Sequence, residues 1–260
     1  MTVTRVGSLP EAFSKAAAVA LSGGRLMVLG GYTGSASLET ILAGPPSRLR
    51  AVGHLPQPTH DAAAALVGGA VYLFGGGESV SVPSVVRVDP RTGATAEAPG
   101  LGEPLSDLGA VAIGGRAYLV GGYTGTQFAT AILGYRGRTV GRLPTGTRYA
   151  GVAALGRTIY VAGGLTTSGA TRAVYAVSLG GRVRRIATLP APEDHAALAA
   201  LGGTLYLVGG RRVLAIDPTS GKVSLAARLP APLSDPTATT VGSRIVVTGG
   251  GTNGVWELSS

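Results

Sequence analysis

The sequence contains no cysteine. Disulfides, thiolate metal centres and cysteine nucleophiles are therefore excluded, while the compartment stays open. Charged residues make up only 13% of the chain and aromatics 5%. So few charges argue against a disordered polyelectrolyte, and so few aromatics mean that a core must be built from Ala, Val, Leu and Ile. No apolar run reaches the ~18 residues that a membrane span needs, because glycine, polar residues or charges interrupt each one. Membrane insertion is not expected. The N-terminal stretch "MTVTRVGSLPEAFSK" lacks a basic head and a continuous apolar core, so it does not read as a signal peptide. Secretion or surface display is still the expected location, with the signal absent from this chain.

What the chain has in excess is glycine, 43 of 260 residues, beside an ordinary 45% of hydrophobic residues. The usual glycine share is about 7%, so many tight turns are implied. Net charge is +9. The arginines fall in short groups (Arg48/Arg50, Arg136/Arg138/Arg142, Arg182/Arg184/Arg185, Arg211/Arg212) without the interleaved aromatics of a base-stacking platform. No nucleic-acid partner is expected.

Glycine pairs close apolar runs at Gly30-Gly31, Gly75-Gly76, Gly121-Gly122, Gly163-Gly164, Gly209-Gly210 and Gly249-Gly250, at intervals of 45, 46, 42, 46 and 40 residues. Such a period signals a propeller or solenoid. The preceding segments align as "RLMVLGG", "AVYLFGG", "RAYLVGG", "TIYVAGG", "TLYLVGG" and "RIVVTGG", each short and β-rich. A second strand lies upstream of each across a Gly-Gly, Gly-Arg or Gly-Ser turn, which suits hairpins that need positive φ. Two more follow downstream, as in "SVVRVDPRTGATAEA", with Asp-Pro-x-x-Gly as the turn. Four strands in each of six units predict an all-β fold, a six-bladed β-propeller of four-stranded antiparallel blades, spanning residues 1–260 as a single domain. The last unit has only three strands, and the opening "TVTRVGSLP" matches the fourth strands of the others. It is expected to complete the last blade by pairing with residues around Val255 to Leu258, which removes exposed strand edges. Arginines in the fourth strands (Arg5, Arg48, Arg50, Arg142, Arg184, Arg228) read as solvated edge protection.

The glycine-pair repeat resembles kelch repeats over nearly the whole chain. It departs from them in lacking a Trp in the fourth strands; the single Trp256 falls in a third strand. The resemblance implies that the loop after the glycine pair and the connection between blades share one face. It also brings two enzyme types to mind. A copper-radical sugar oxidase needs a Cys–Tyr crosslink, which this chain cannot make. A mutarotase or epimerase acting on sugars remains the alternative, with no acid–base motif that transfers residue by residue.

Seven residues before the first glycine of the inner hairpin stand Asp61, Asp107, Tyr149, His195 and Asp235, with Lys15 offset by one in the first unit. In a six-membered ring these encircle the axis, Asp61 opposite His195 and Asp107 opposite Asp235. Three uses suit such a set: carboxylates that bond backbone N–H groups of neighbouring blades, a ligand funnel, or a cation site. Zinc-type and Ca-loop spacings are absent, so no metal and no cofactor is expected. A Ser-His-Asp set drawn from Ser106 or Ser234, His195 and Asp61 lacks a nucleophile elbow. The variable loops add Tyr32, Tyr123, Phe128, Arg148, Arg172, Arg211 and Arg212 as an aromatic and cationic mouth. Guanidinium groups match carboxylates in geometry and charge. The expected function is thus a monomeric binding or interaction module, whose top face takes a protein, an acidic peptide or an acidic glycan. The alternative is the sugar-active enzyme.

Overall fold

The computed structural model describes residues 1–259. Six blades follow one another around a central axis. Blade 1 comprises Ala17–Leu21, Arg25–Leu29, Thr40–Gly44 and Arg50–His54, from the axis outward. Blades 2 and 3 repeat this from Ala63–Val67 to Thr95–Ala98 and from Gly109–Ile113 to Thr139–Arg142. Blade 4 runs from Gly151–Leu155 to Val183–Thr188, with a small hairpin of Leu165–Thr166 and Gly169–Ala170 beside it. In blade 5 the second and third strands run on as one element, Thr204–Ile216, because only Gly209 to Arg211 separate them. Its first part pairs with Ala197–Leu201 and its last part with Val223–Leu233. Apart from one 3-10 turn at Ser22–Gly24, no helix occurs among the described residues.

Blade 6 shows how the ring closes. Its strands Pro236–Val241, Arg244–Gly249 and Thr252–Ser259 take Thr2–Phe13 as their outermost member. The register runs from Thr2 opposite Ser259, through Arg5 opposite Trp256, to Phe13 opposite Thr252. The two ends of the chain therefore lock each other, as the truncated last repeat requires.

Alternation along the strands explains the packing. In Ala17–Leu21 every second side chain is buried, since successive strand residues point to opposite faces. Each blade thus has two apolar faces, and each meets a neighbour. The buried hydrophobics form six clusters, one at each blade junction. Leu26, Met27, Ile41, Phe74, Ile132, Ile159 and Leu205 are fully enclosed there, each worth about 1.5–3 kcal/mol on burial. The innermost strands are rich in Ala and Gly because six of them crowd around one axis.

The glycine pairs stitch adjacent blades together. A Cβ on Gly75, at φ +60, would lie 1.9 Å from the carbonyl oxygen of Leu105 in the next blade. The following residue, Gly76, donates its N–H to that same oxygen at 2.9 Å. The pattern repeats from Gly31 to Thr59, Gly122 to Thr147 and Gly164 to Glu193. Close approach, joined to positive φ, is why the apolar run must end in two residues without side chains.

Candidate functional site

Lys15, Asp61, Asp107, Tyr149, His195 and Asp235 come together at the axis, and each holds a left-handed backbone, with φ between 52 and 58°. That conformation is uncommon outside glycine. Asp and His adopt it more readily than Lys or Tyr. It persists where the surroundings enforce it, at a cost of order 1 kcal/mol or more per residue. Here a circle of backbone hydrogen bonds enforces it. Lys15 N–H donates to Asp235 O, Asp61 to Lys15, Asp107 to Asp61, Tyr149 to Asp107 and Asp235 to His195, all at 2.8–3.0 Å. At the sixth junction the rings of Tyr149 and His195 lie face to face, centroids 4.0 Å apart and tilted by 32°. Just before four of the ring residues, in blades 1 to 4, the chain bridges the loop after its glycine pair, as in Ser106 with Tyr123 and His60 with Gly77. The two loop types share one face, as expected.

The backbone alone thus performs the blade-to-blade bonding expected of the carboxylates. The side chains are left to each other. Lys15 Nζ lies 3.1 Å from Asp61 and Arg148 2.5 Å from Asp107, while His195 Nδ1 lies 2.6 Å from Asp235. Ser106 and Ser234 donate to Asp107 and Asp235, each at 3.2 Å. Lys15 also reaches across the axis to within 5.5 Å of the Tyr149 ring. The bore is therefore plugged by side chains at this level. Beneath the plug lies a cavity of about 180 Å³ between the innermost strands, walled largely by alanine.

Burial sets the protonation states. It pushes Asp107 up to about 6, and the neighbouring Asp61 charge adds to the rise against the pull of Arg148. Asp61 is raised for the same first reason, with Lys15 opposing. Tyr149 is pushed up to about 12 by burial and by the two carboxylates. For Lys15, burial works against the ammonium form, but the charge and hydrogen bond of Asp61 outweigh it and the pKa rises. The hydrogen bond that His195 donates to the Asp235 carboxylate raises the imidazole, whereas burial and the Lys15 charge lower His60. The plug therefore joins an acid that titrates near neutrality to a locked phenol and an imidazole–carboxylate pair.

On one side the plug opens into a pocket of about 450 Å³, bounded by Lys15, Asp61, Asp107 and Tyr149 below and by Glu78, Ser81, Tyr123 and Arg148 above. Arg148 is the most constrained member. Its guanidinium carbon lies 4.6 Å from the Tyr123 ring centroid, 5.4 Å from that of Phe128 and 4.5 Å from that of Tyr149. One of its terminal nitrogens donates to the Tyr149 hydroxyl at 2.7 Å. Its Nε is the one buried side-chain nitrogen or oxygen without a partner among the described residues.

Of the expected mouth, Tyr123 and Arg148 line this pocket, and Tyr32 stands behind it against His60, with ring centroids 5.1 Å apart. The other arginines are not gathered with them. Arg172 donates to Leu189 O at 2.6 Å, Arg211 to Pro230 O at 3.2 Å, and Arg212 pairs with Glu193. Local backbone and side-chain acceptors claim these cations, which spacing in sequence could not reveal. Glu78 and Ser81 were not singled out from sequence; the one available signal was the polar run "GESVS" after a glycine pair.

No family model matches the chain, and no curated protein matches it. Solved structures do. The structure of YjhT aligns with a TM-score of 0.81 over 96% of this chain and 95% of that chain, at 14% sequence identity. At that identity the likeness shows the fold, a six-bladed β-propeller.

Proposed function

We propose that this chain is a binding module whose pocket beside the axial plug takes a small hydroxylated ligand bearing an acidic group, an acidic glycan in preference to an extended peptide. Arg148 carries the reading. Its guanidinium is paired with Asp107 but its buried Nε–H has no acceptor; an unmet buried donor costs stability, and a chain keeps such a cost where a function uses the group. Three aromatic rings and Asp107 fix this guanidinium in place, so little entropy remains to be lost on meeting a carboxylate. Tyr123 and Tyr149 offer flat apolar area, and Ser81, Ser106 and Glu78 offer hydroxyl-matching groups. The volume falls within the range of small-molecule sites, about 300–1,000 Å³. The kelch-like repeat supports this face as the working one, and a single six-bladed unit acting as a monomer fits it.

A glycan and peptide array at two salt concentrations tests the reading, with Tyr123→Ala and Arg148→Met in parallel. Acidic sugars should be retained by the wild type, lost by both variants and weakened by salt. Neutral sugars or extended peptides held equally by all three proteins would overturn it. One observation favours the enzyme reading as second. Asp107, near 6, sits beside Asp61 and Tyr149 as a group able to give and take a proton at neutral pH. Anomeric exchange of a sugar seen by NMR, lost in Asp107→Asn, would move the assignment there.

A further inference from the structure

The opposite face of the propeller is built differently. Its inner hairpins turn in two or three residues, from Ser22–Gly24 in blade 1 to Gly242 and Ser243 in blade 6. A Cβ added at Gly68, Gly114, Gly156, Gly202 or Gly242 would meet nothing within 4 Å. The inner part of this end is therefore level, made of short hairpins open to solvent. The end is also basic. The hairpins present Arg25, Arg116, Arg157 and Arg244, and the outer turns present Arg48, Arg91, Arg136, Arg138, Arg182 and Lys222. All but the half-buried Arg25 are exposed. Every blade contributes at least one.

The carboxylates at this end leave that charge standing. Asp89 accepts the Arg91 N–H at 2.8 Å and Asp217 those of Thr219 and Ser220 at 2.8 and 3.2 Å, so both are engaged by their own turns. Glu257 pairs with Arg244. Among the described residues no other cation of this face has an ion-pair partner. Arg136 holds a left-handed backbone at φ 56° at the tip of its turn. Gly or Asn is the favoured occupant there, so an arginine at this tip goes against the local preference. The axial carboxylates Asp61, Asp107 and Asp235 lie at the other end, where Lys15, Arg148 and His195 pair with them, and they do not offset the cations of this face.

We propose that this level basic face docks reversibly on an anionic lipid bilayer, with the pocket turned away into solvent. A bilayer presents phosphate charge across a plane, which matches cations spread around a disc. A nucleic acid needs a track or stacking rings, and no aromatic side chain is exposed among the described residues. With no exposed aromatic ring to insert, binding rests chiefly on charge and must weaken with salt.

Flotation of the full chain with vesicles of phosphatidylcholine, alone and with added phosphatidylglycerol, tests this at low and physiological salt. The protein should float only with the anionic vesicles, and less as salt rises. Arg116→Glu, Arg136→Glu and Arg138→Glu combined should reduce partitioning by more than tenfold, since each cation near such a surface contributes roughly fivefold. Arg142→Glu with Arg228→Glu, on outermost strands but toward the other end, should change it far less. Unchanged melting temperatures establish that the variants are folded. Absence of flotation at low salt, equal flotation by the blade 3 variant, or tighter binding to DNA than to the vesicles at physiological salt would overturn the proposal.

Discussion

The two ends of each blade use the same left-handed backbone and get different things from it. At the basic end, Gly68, Gly114 and Gly202 take positive φ in hairpins where an added Cβ would meet nothing within 4 Å. Glycine serves there for torsion alone. At the pocket end, Gly75 takes the same torsion against a carbonyl 1.9 Å from where its Cβ would be. Glycine serves there for torsion and for contact. At the axis, Asp107 and its five counterparts take it with side chains attached. The strain of those six positions is offset by the hydrogen-bonded circle, and what the chain retains in return is chemistry. Positive φ is therefore not one signal but three, told apart by what a Cβ would meet.

The largest test of that distinction is Gly75→Ala. The methyl must displace the Leu105 carbonyl and cost Gly76 its hydrogen bond, so a loss of roughly 4 kcal/mol or more is expected in urea unfolding. A loss under about 1 kcal/mol, the usual penalty of torsion alone, would erase the difference between the two ends.

Next in size is the axial plug. Arg148→Met leaves the Asp107 carboxylate, whose side chain is 1% exposed, without its cation. Breaking a buried pair from one side costs about 3–5 kcal/mol, and the lower end applies here because Asp107 can retain its proton at modest pH. Arg148→Met combined with Asp107→Asn should recover most of that loss. A double variant no better than the single one would show that Arg148 acts through its aromatic contacts and not through charge.

A smaller effect is the pH dependence of the plug. The folded state holds the Asp107 proton up to about pH 6, above the ordinary carboxylate value of 3.8. Folded protein then binds more protons than unfolded between those values, so this group's contribution to stability falls as pH rises through the window. The raised pKa of His195 acts in the same direction at higher pH: its contribution is present below 6.5 and lost as pH climbs through its folded value. His60, lowered, opposes both. Asp107→Asn removes the first component only. Relative to that variant, the wild type should lose on the order of 2 kcal/mol between about pH 4 and pH 7. Parallel stability curves across that range would mean that Asp107 is ionised throughout.

Much of this architecture was legible in the repeat. The glycine pairs mark six blades, the missing strand predicts closure by Thr2 to Pro10, which the structure extends to Phe13, and the seven-residue offset selects five of the ring positions, with Lys15 displaced by one. Identity along the chain carries the register of a strand because side chains alternate with a period of two. The conformation at the ring was not legible: nothing in "HDAAAAL" or "SDLGAVA" distinguishes a left-handed Asp from one that begins a strand. Nor was the partnering of the arginines. Arg148 follows a glycine-rich turn much as Arg172 and Arg211 follow theirs, yet only Arg148 meets Asp107 and three rings. Pairings across blades depend on distances that no local pattern encodes. The continuous Thr204–Ile216 strand was half legible, since the short "RRV" after Gly210 leaves no room for a loop.

The smallest expected effect lies at the basic end, and its smallness is informative. Gly202 holds φ +58 in the hairpin between Ala197–Leu201 and Thr204–Ile216, with open space where a Cβ would stand. Two substitutions separate torsion from contact there. Asn tolerates left-handed torsions because its short amide bonds locally, and it also restricts the unfolded chain more than glycine does. Gly202→Asn should therefore sit within about 0.5 kcal/mol of wild type. Gly202→Ala meets the steric penalty of a left-handed alanine without that compensation and should lose about 1 kcal/mol. The same pair at Gly75 should show no such ordering, because both side chains strike the Leu105 carbonyl. If Asn and Ala are equally harmful at Gly202, contact matters at the basic end as well. Its level surface, and with it the even display of Arg116, Arg157 and Arg244, would then depend on packing and not on torsion alone.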